Sequence, residues 1–579
     1  MSRPQAALSR APRILSLLFL ASAGILFAVT FVNRSLMADC FLRVSFYLVG
    51  LLVLLYGFTL EATRRQAPEA LGHWVRENRR GIAVSLAVAA AVFVSAPPYF
   101  RLLADETNLL SVSRSMLTRG STGNTVEGFF QYFGFHPLRD VYEKRPFLFP
   151  FTVQLFHLFT GFRPGNAFAV NFLCLAGLLM VIFSGFKRHY GTLAGLAAVF
   201  FVAAQPVVGQ TASSAGFDMM FLLMLGLCLT SLEYYLRAPA AQRLILFWLT
   251  LMLFLNTRYE APLLASVMMV LLLAFRKIRW DFWLESPVYG ASAFFVLPIL
   301  WQRLLTQSIE IEAGRFPFAL EHLLRHHVEF FKSLVDFTYF MPYAPSINLP
   351  AMFSLAFLGI LYFRKQWPKD LASRLFILIT ASVFSAEWIL TTSYFGELFT
   401  DPGGSRVFTY MSIALSAILV LGLLRFSFFR EKPVRLLAAG MLLFAVYHPL
   451  SMENRFLNAN DLSREYRLVL DFLKTVDSRN FLVVAQRPGL YTARRYGAVK
   501  FEWANQHAEE LQDHLRRGLY SDIYVVQEID AITKEPGPET QLDASYRLHP
   551  LSTVMRQPDP PAQIRISRVV ISERGEAIA

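Results

Sequence analysis

Residues 14–32 read ILSLLFLASAGILFAVTFV, with no charged side chain among them. A helix of that length rises about 28 Å, close to the ~30 Å hydrocarbon core of a bilayer. It is apolar all round, with no polar face to turn toward water, so it predicts a membrane-spanning helix. Similar blocks follow at Phe46 to Leu60 and at Ala83 to Ala96. Arg3, Arg10 and Arg13 precede the first block, as in a signal peptide. The block is long and no clear small-residue cleavage site follows, so a retained first helix is expected.

Composition supports the same reading. Of 579 residues, 55% are hydrophobic, 15% aromatic and only 17% charged. A soluble domain carries about 25% charged residues, so much of this surface faces lipid. The formal charge of +13 is spread over short basic runs between apolar blocks, where membrane proteins keep them. A nucleic-acid partner is therefore excluded. Cys40, Cys174 and Cys228 make no metal or redox spacing and read as packing residues.

Cutting the chain at its polar breaks gives about 13 spans by the ~20-residue requirement. They run 13–32, 43–60, 81–98, 165–185, 191–208, 215–236, 243–256, 260–275, 284–302, 351–363, 371–389, 409–426 and 434–449. Alternate connections are all basic: Arg64, Arg65, Arg76, Arg79 and Arg80; Lys187 and Arg188; Arg237 and Arg243. The series continues with Arg276, Lys277 and Arg279; Arg364, Lys365, Lys369 and Arg374; and Arg425, Arg430, Lys432 and Arg435. The positive-inside rule puts that set, with the N-terminus, in the cytoplasm. The long segments 99–164, 303–350, 390–408 and the tail after 450 then face outward, the periplasm of a bacterial cell.

The tail alternates helix (Asp461 to Val476), strand (Phe481 to Ala485), helix (Gln506 to Arg517), strand (Asp522 to Val526) and a β-rich end including Gln563 to Ile571. That pattern predicts a small α/β domain. The expected fold class is an α-helical polytopic membrane protein with a C-terminal α/β extramembrane domain. Its expected divisions are 1–80 (two additional helices and a cytoplasmic loop), 81–450 (the membrane domain with its outer loops) and 451–579.

The first outer segment opens Pro97-Pro98-Tyr99-Phe100-Arg101-Leu102-Leu103-Ala104-Asp105-Glu106-Thr107. Its two carboxylates read in three ways. They solvate the loop, or Asp105 caps an amphipathic helix from Glu106 to Arg119, or Asp105 is a general base for an acceptor hydroxyl. Further on, Tyr142-Glu143-Lys144-Arg145-Pro146 places a basic pair where the charge asymmetry disfavours one. Phosphate binding gives one reason for it; a salt bridge to Glu143 or Asp140 gives another.

Ala104-Asp105-Glu106-Thr107, followed by Ser113-Arg114, Met116 and Gly120, resembles the first-loop motif of bacterial aminoarabinose transferases. Those are related to the protein O-mannosyltransferases in the GT-C class. Glu143-Lys144-Arg145-Pro146 is similar to that family's E-x-K-P-P element, and Gly216-Phe217-Asp218 to its aspartate turn. The likeness spans about 81–450 in architecture. It departs by two extra N-terminal helices and by Asn108-Leu109-Leu110 where aromatic and acidic residues are common. The resemblance implies a metal-optional, inverting single displacement from a polyprenyl-phosphate-linked sugar to a lipid, glycan or protein acceptor. It makes Asp105 and Glu106 the catalytic pair. Lys144, Arg145, Arg258 and Arg406 are the expected phosphate-binding cations, with Glu143, Tyr259 and Glu260 supporting them. Bacterial inner-membrane residence is implied, with no certain cofactor.

Other signals weigh less. His322, His326, His327 and Glu329 have helical spacing but no H-E-x-x-H pattern, so a solvated or interfacial face is expected instead of a metal. Asp218 and Glu387 fall near outer helix ends, where neither calls for a proton pathway. Three competing functions remain. A transporter or flippase predicts inverted repeats and broken helices; a polysaccharide polymerase or ligase shares the donor chemistry; a non-catalytic subunit fits if Asp105 only caps a helix.

Overall fold

A computed structural model describes residues 3–66, 68–101, 104–131, 134–306, 318–335, 354, 370–394, 406–455, 461–478, 480–530, 532–555 and 562–570. The chain forms two compact units: Met1–Tyr99 with Lys144–Asn458, and Phe100–Glu143 with Ala459–Ala579. This departs from the expected division, because most of the first outer segment belongs with the tail and not with the membrane helices.

In the first unit, eight helices are long and apolar enough to cross a membrane, making this a multi-pass membrane protein. They are Ala11–Val32, Arg34–Arg65, Gly72–Ser95, Gly165–Tyr190, Asp218–Arg237, Pro287–Thr306, Leu371–Ser393 and Arg406–Leu423. The span expected at 191–208 is a broken pair, Thr192–Ala203 and Pro206–Ala212, bent by 77°. Pro206 explains the break: it supplies no N–H to the ladder and drives Gln205 to an extended φ −70°, ψ 121°. The spans expected at 243–256, 260–275 and 434–449 correspond to shorter apolar helices, Ala241–Leu255, Ala261–Ala274 and Pro433–Val446. Leu148–Thr160 is another such helix. At about 1.5 Å per residue each falls short of the bilayer core. The span expected at 351–363 lies outside the described residues apart from Ser354.

The two additional N-terminal helices pack into this bundle. Ser16 approaches Gly290 so closely that a Cβ at Gly290 would lie 2.7 Å from its backbone, and Trp301 Nε1 donates to Thr30 Oγ1 at 3.1 Å. Asn256 stops the Ala241–Leu255 helix. Its Nδ2 donates to Met252 O at 3.0 Å and to Phe295 O at 3.2 Å, while its own carbonyl accepts from Leu148 N at 3.1 Å. That corner carries Arg258 and Glu260.

The second unit is built on seven strands: β1 (Asn124–Gln131), β2 (Gly134–Val141), β3 (Phe481–Ala485), β4 (Gly497–Val499), β5 (Asp522–Asp530), β6 (Arg547–Met555) and β7 (Ala562–Val570). They make one sheet in the order β2-β1-β4-β3-β5-β7-β6. β3 is parallel to both β4 and β5, and the outer pairs are antiparallel. Phe-Leu-Val-Val-Ala in β3 is buried at every position, as a strand covered on both faces requires. Phe481 and Val483 pack with Tyr466, Val469, Leu470 and Leu473 of the Asp461–Lys474 helix. Leu482 and Val484 pack with Phe501, Ala504 and Leu511 on the opposite face.

No strand is expected from sequence between Gly120 and Val141, yet β1 and β2 form a hairpin that joins β4 at Gly128↔Ala498. Gly128 makes that seam. A Cβ there would lie 2.5 Å from the Phe135 ring and 2.8 Å from His136 O. Gly128→Val should therefore destabilise the unit by about 1–3 kcal/mol through overpacking, although valine is the better strand former. A lower thermal midpoint is the expected readout; an unchanged midpoint contradicts the seam.

Candidate functional site

Three segments far apart in sequence meet inside the membrane unit. The first is the turn before the Asp218–Arg237 helix. Asn171 Nδ2 donates to Ser214 O at 2.7 Å and Gly216 O at 2.8 Å, fixing the backbone from which Asp218 projects. The second is the Asn256 corner, and the third the short turn Arg406–Phe408, held where Thr409 Oγ1 donates to Arg406 O at 2.6 Å and meets Thr211 Oγ1 at 2.8 Å.

Asp218 joins two arginines. Its Oδ1 is 3.3 Å from Arg258 Nη1, and its Oδ2 is 3.3 Å from Arg406 Nη1. Arg258 Nε is also 3.0 Å from Glu260 Oε2. The Arg258 side chain is 3% exposed and lies 5.4 Å from the Phe221 ring and 5.8 Å from the Phe217 and Tyr259 rings. Burial alone opposes the charge on Arg258; attraction to Glu260 and Asp218 overcomes it and raises its pKa above the ordinary guanidinium value. Burial likewise pushes the Glu260 carboxyl up, and Arg258 pulls it back.

These pairs change the expected picture of open positive charge. Arg258 and Arg406 are already matched to carboxylates, and Arg406, with its side chain 12% exposed, is the more accessible of the two. Lys144 is exposed, whereas Arg145 is buried and its carbonyl accepts from Gln302 Nε2 at 2.7 Å. Three residues on, Leu148 N bonds to Asn256 O, so the Lys144–Arg145 segment is tied to the corner that carries Arg258. Tyr259 is 37% exposed and its carbonyl accepts from Arg303 Nη2 at 3.0 Å.

Asp218 and Glu387 go beyond the sequence reading, which likened Asp218 to a family turn and gave Glu387 no role. Asp218 is the hub of the cluster. Glu387, in the Leu371–Ser393 helix, is 2% exposed and within electrostatic reach of Arg258 and Glu260. Sequence held no signal for this, because the convergence is tertiary.

The histidine segment is also corrected. His326 is fully buried, and its Nδ1 donates to Thr392 O at 2.8 Å. His327 Nδ1 donates to Leu323 O at 2.7 Å and its Nε2 accepts from Trp388 Nε1 at 2.8 Å. His326 and His327 tie the Leu320–Val335 helix to the Leu371–Ser393 helix, so His326 leaves the expected solvated or interfacial face, while His322 and Glu329 stay half-buried. Among the described residues no group of three His, Cys, Asp or Glu side chains is arranged to hold a metal ion.

Asp105, Glu106 and Glu143 belong to the other unit. Its first helix runs Ala104–Arg119, so Asp105 lies inside the first turn and not at the cap. Asp105 is half-buried, Glu106 fully buried. Both carboxylates suit the positive end of the helix dipole. The remaining motif letters seat this helix. Ser113 Oγ donates to Leu110 O at 2.7 Å, Met116 is buried, and Gly120 ends the helix at φ +60°. Arg114 donates to Thr492 O and lies 4.3 Å from the Phe135 ring. Burial, with Arg119 and Arg495 nearby, lowers its pKa to about 9. Ser111 Oγ accepts from Thr125 N at 3.0 Å, and Arg119 Nη2 donates to Thr125 Oγ1 at 3.0 Å, tying the helix to β1. Glu143 is buried and accepts from Asn124 Nδ2 at 3.3 Å.

No protein-family model and no curated protein sequence matches the chain. Among solved structures it is similar to ArnT from Cupriavidus metallidurans in the apo state, at TM-score 0.52 and 14% identity, covering 86% of this chain and 98% of that one. The same protein bound to undecaprenyl phosphate gives TM-score 0.50 at 14% identity, covering 85% and 98%. The Archaeoglobus fulgidus oligosaccharyltransferase tethered with an acceptor peptide gives 0.44 at 11%, covering 79% and 70%. At such identities the likeness speaks to fold, and the chain has the GT-C fold.

Proposed function

We propose that this protein is a membrane glycosyltransferase that moves a sugar from a polyprenyl-phosphate donor to an acceptor hydroxyl on the outer face of a bacterial inner membrane. The observation that carries the reading is the GT-C fold, shared with ArnT over most of both chains. ArnT is known in a complex with undecaprenyl phosphate. The first-loop motif adds support, because the helix that it builds bears Asp105.

In this reading Asp105 takes the proton from the acceptor hydroxyl, and Glu106, buried, fixes the first turn of the same helix. Lys144 and Arg406, the more exposed cations, contact the donor phosphate, while Arg145 and Arg258 support it from buried positions. Glu143, Tyr259 and Glu260 orient these groups. The chemistry is an inverting displacement in which the hydroxyl oxygen attacks the anomeric carbon and the lipid phosphate leaves.

Purified protein incubated with radiolabelled polyprenyl-phosphate sugars and membrane extract should yield a labelled, lipid-phosphate-free product. Absence of transfer from every donor rejects the reading. Lys144→Ala should weaken donor use about tenfold, the worth of one exposed charge-assisted contact; unchanged donor KM returns Lys144 to a surface role. A lipid-linked-sugar flippase is the second reading, favoured by the broken pair at Pro206, since transporters place discontinuous helices at their substrate sites. Movement of labelled donor across proteoliposomes without transfer selects it.

A further inference from the structure

The Leu320–Val335 helix has three faces, and the described residues leave one of them bare. His326 and Phe330, both buried, face the Leu371–Ser393 helix, where the Phe330 ring lies 4.8 Å from that of Trp388. Glu321, Arg325 and Glu329 recur every fourth residue on a second face, with Arg325 Nε 3.7 Å from Glu329 Oε1. Leu320, Leu324, Val328 and Phe331 make the third, within an arc of about 80° at about 100° per residue. Each of these four is 53–71% exposed among the described residues. Large apolar side chains lined up on one open face mark an interaction surface.

The attachment of the helix says what covers that surface. Ala319 N donates to Ser393 O at 3.0 Å, at the very end of a membrane-spanning helix. Phe318 bridges to Tyr394 just beyond it, their rings 5.6 Å apart and both partly open. Tyr394 and Trp388 are amphipathic rings of the kind that gather where a membrane meets water. The chain then runs obliquely. From Ala319 to Phe330 it rises about 16 Å, while its contacts on the span move only from Ser393 to Trp388, about 8 Å. A further span would run alongside its neighbour; this helix lies across the end of it. An oblique helix at that level, charged along one face and apolar along the next, fits a lipid surface. We propose that Leu320, Leu324, Val328 and Phe331 dock this helix into the leaflet at the Ser393 end of the span, the outer one by the charge asymmetry. Glu321 and Arg325 then face water. The docked helix also braces the turn that carries Arg406, because Phe330 and Trp388 pack with Phe408, whose ring is 5.5 Å from that of Trp388.

The test uses the full chain with Cys40→Ala, Cys174→Ala and Cys228→Ala, reconstituted in phosphatidylcholine nanodiscs and labelled with a fluorophore at one introduced cysteine. Labels at Leu324→Cys and Val328→Cys should be quenched by nitroxide-bearing lipid, at a depth of about 5–10 Å at the headgroup–acyl boundary, and spared by aqueous iodide. Labels at Glu321→Cys and Arg325→Cys should show the reverse. All four positions are exposed, so each labelled chain should keep the thermal midpoint of the unlabelled one. Iodide quenching at 324 and 328 as strong as at 321 and 325 puts the stripe in water and overturns the proposal. Shielding of 324 and 328 from both quenchers makes a second copy or another segment of this chain the cover, and overturns it equally. Neither outcome depends on sugar transfer, so the docking surface stands or falls apart from the glycosyltransferase reading.

Discussion

Replacing Asp105 by asparagine is expected to lower turnover by about two orders of magnitude or more, the usual worth of a general base, while the protein stays folded and binds donor lipid. The substitution keeps side-chain size and most hydrogen-bonding capacity, and removes the charge that accepts a proton. A purely structural Asp105 predicts something much smaller. The residue sits in the first turn of the Ala104–Arg119 helix, where a carboxylate contributes about 0.3–1 kcal/mol through the helix dipole. Losing that shifts the thermal midpoint slightly and leaves turnover nearly intact. A hundredfold loss in rate corresponds to about 2.7 kcal/mol of barrier, well beyond the dipole effect. Glu106→Gln disturbs a fully buried group and should register in stability as well as rate. Near-normal transfer by Asp105→Asn at matched expression and midpoint ends the catalytic assignment.

Asp218→Ala should give the largest loss of stability in the membrane unit. Asp218 is 2% exposed and is the counter-charge for both Arg258 and Arg406, each at 3.3 Å. Removing one partner of a buried pair costs about 3–5 kcal/mol, because the charge left behind stays desolvated. Arg258 keeps Glu260 at 3.0 Å, while Arg406 loses its ion pair with Asp218. A second change, Arg406→Met in the Asp218→Ala background, should therefore restore part of the midpoint in detergent. The two losses should be non-additive, as expected for contacting groups. If Asp218→Ala costs under about 1 kcal/mol, or if the second change adds a full further loss, the hub reading is wrong.

Sequence legibility followed how far each signal reaches along the chain. A bilayer demands about 20 apolar residues in one run, so blocks such as 14–32 declare spans locally. The blocks 243–256 and 260–275 were separated at the right place, but the helices there, Ala241–Leu255 and Ala261–Ala274, are shorter than that run. Strand β3 was legible because a strand buried on both faces must be apolar throughout. The β1–β2 hairpin was not, since its place in the sheet depends on pairing Gly128 with the distant Ala498, and nothing in the local pattern marks that partner.

The site residues divide in the same way. Lys144 could be singled out because the charge asymmetry disfavours a basic pair on its side, and Asp105, Arg258 and Arg406 through the family resemblance. Their partners could not: whether an arginine offers its charge to a ligand or spends it on Asp218 depends on which segments fold together. Glu387 carries the point furthest. By itself the sequence determined that this chain lives in a membrane, where its helices run and that its tail is α/β, because bilayer thickness and strand alternation act on neighbouring residues. Only the tertiary structure decided that Asp218, Arg258, Glu260, Glu387 and Arg406 share one buried cluster and that the first outer segment completes the tail's sheet. Electrostatic pairing and sheet register act between residues far apart in the chain, 188 positions for Asp218 and Arg406.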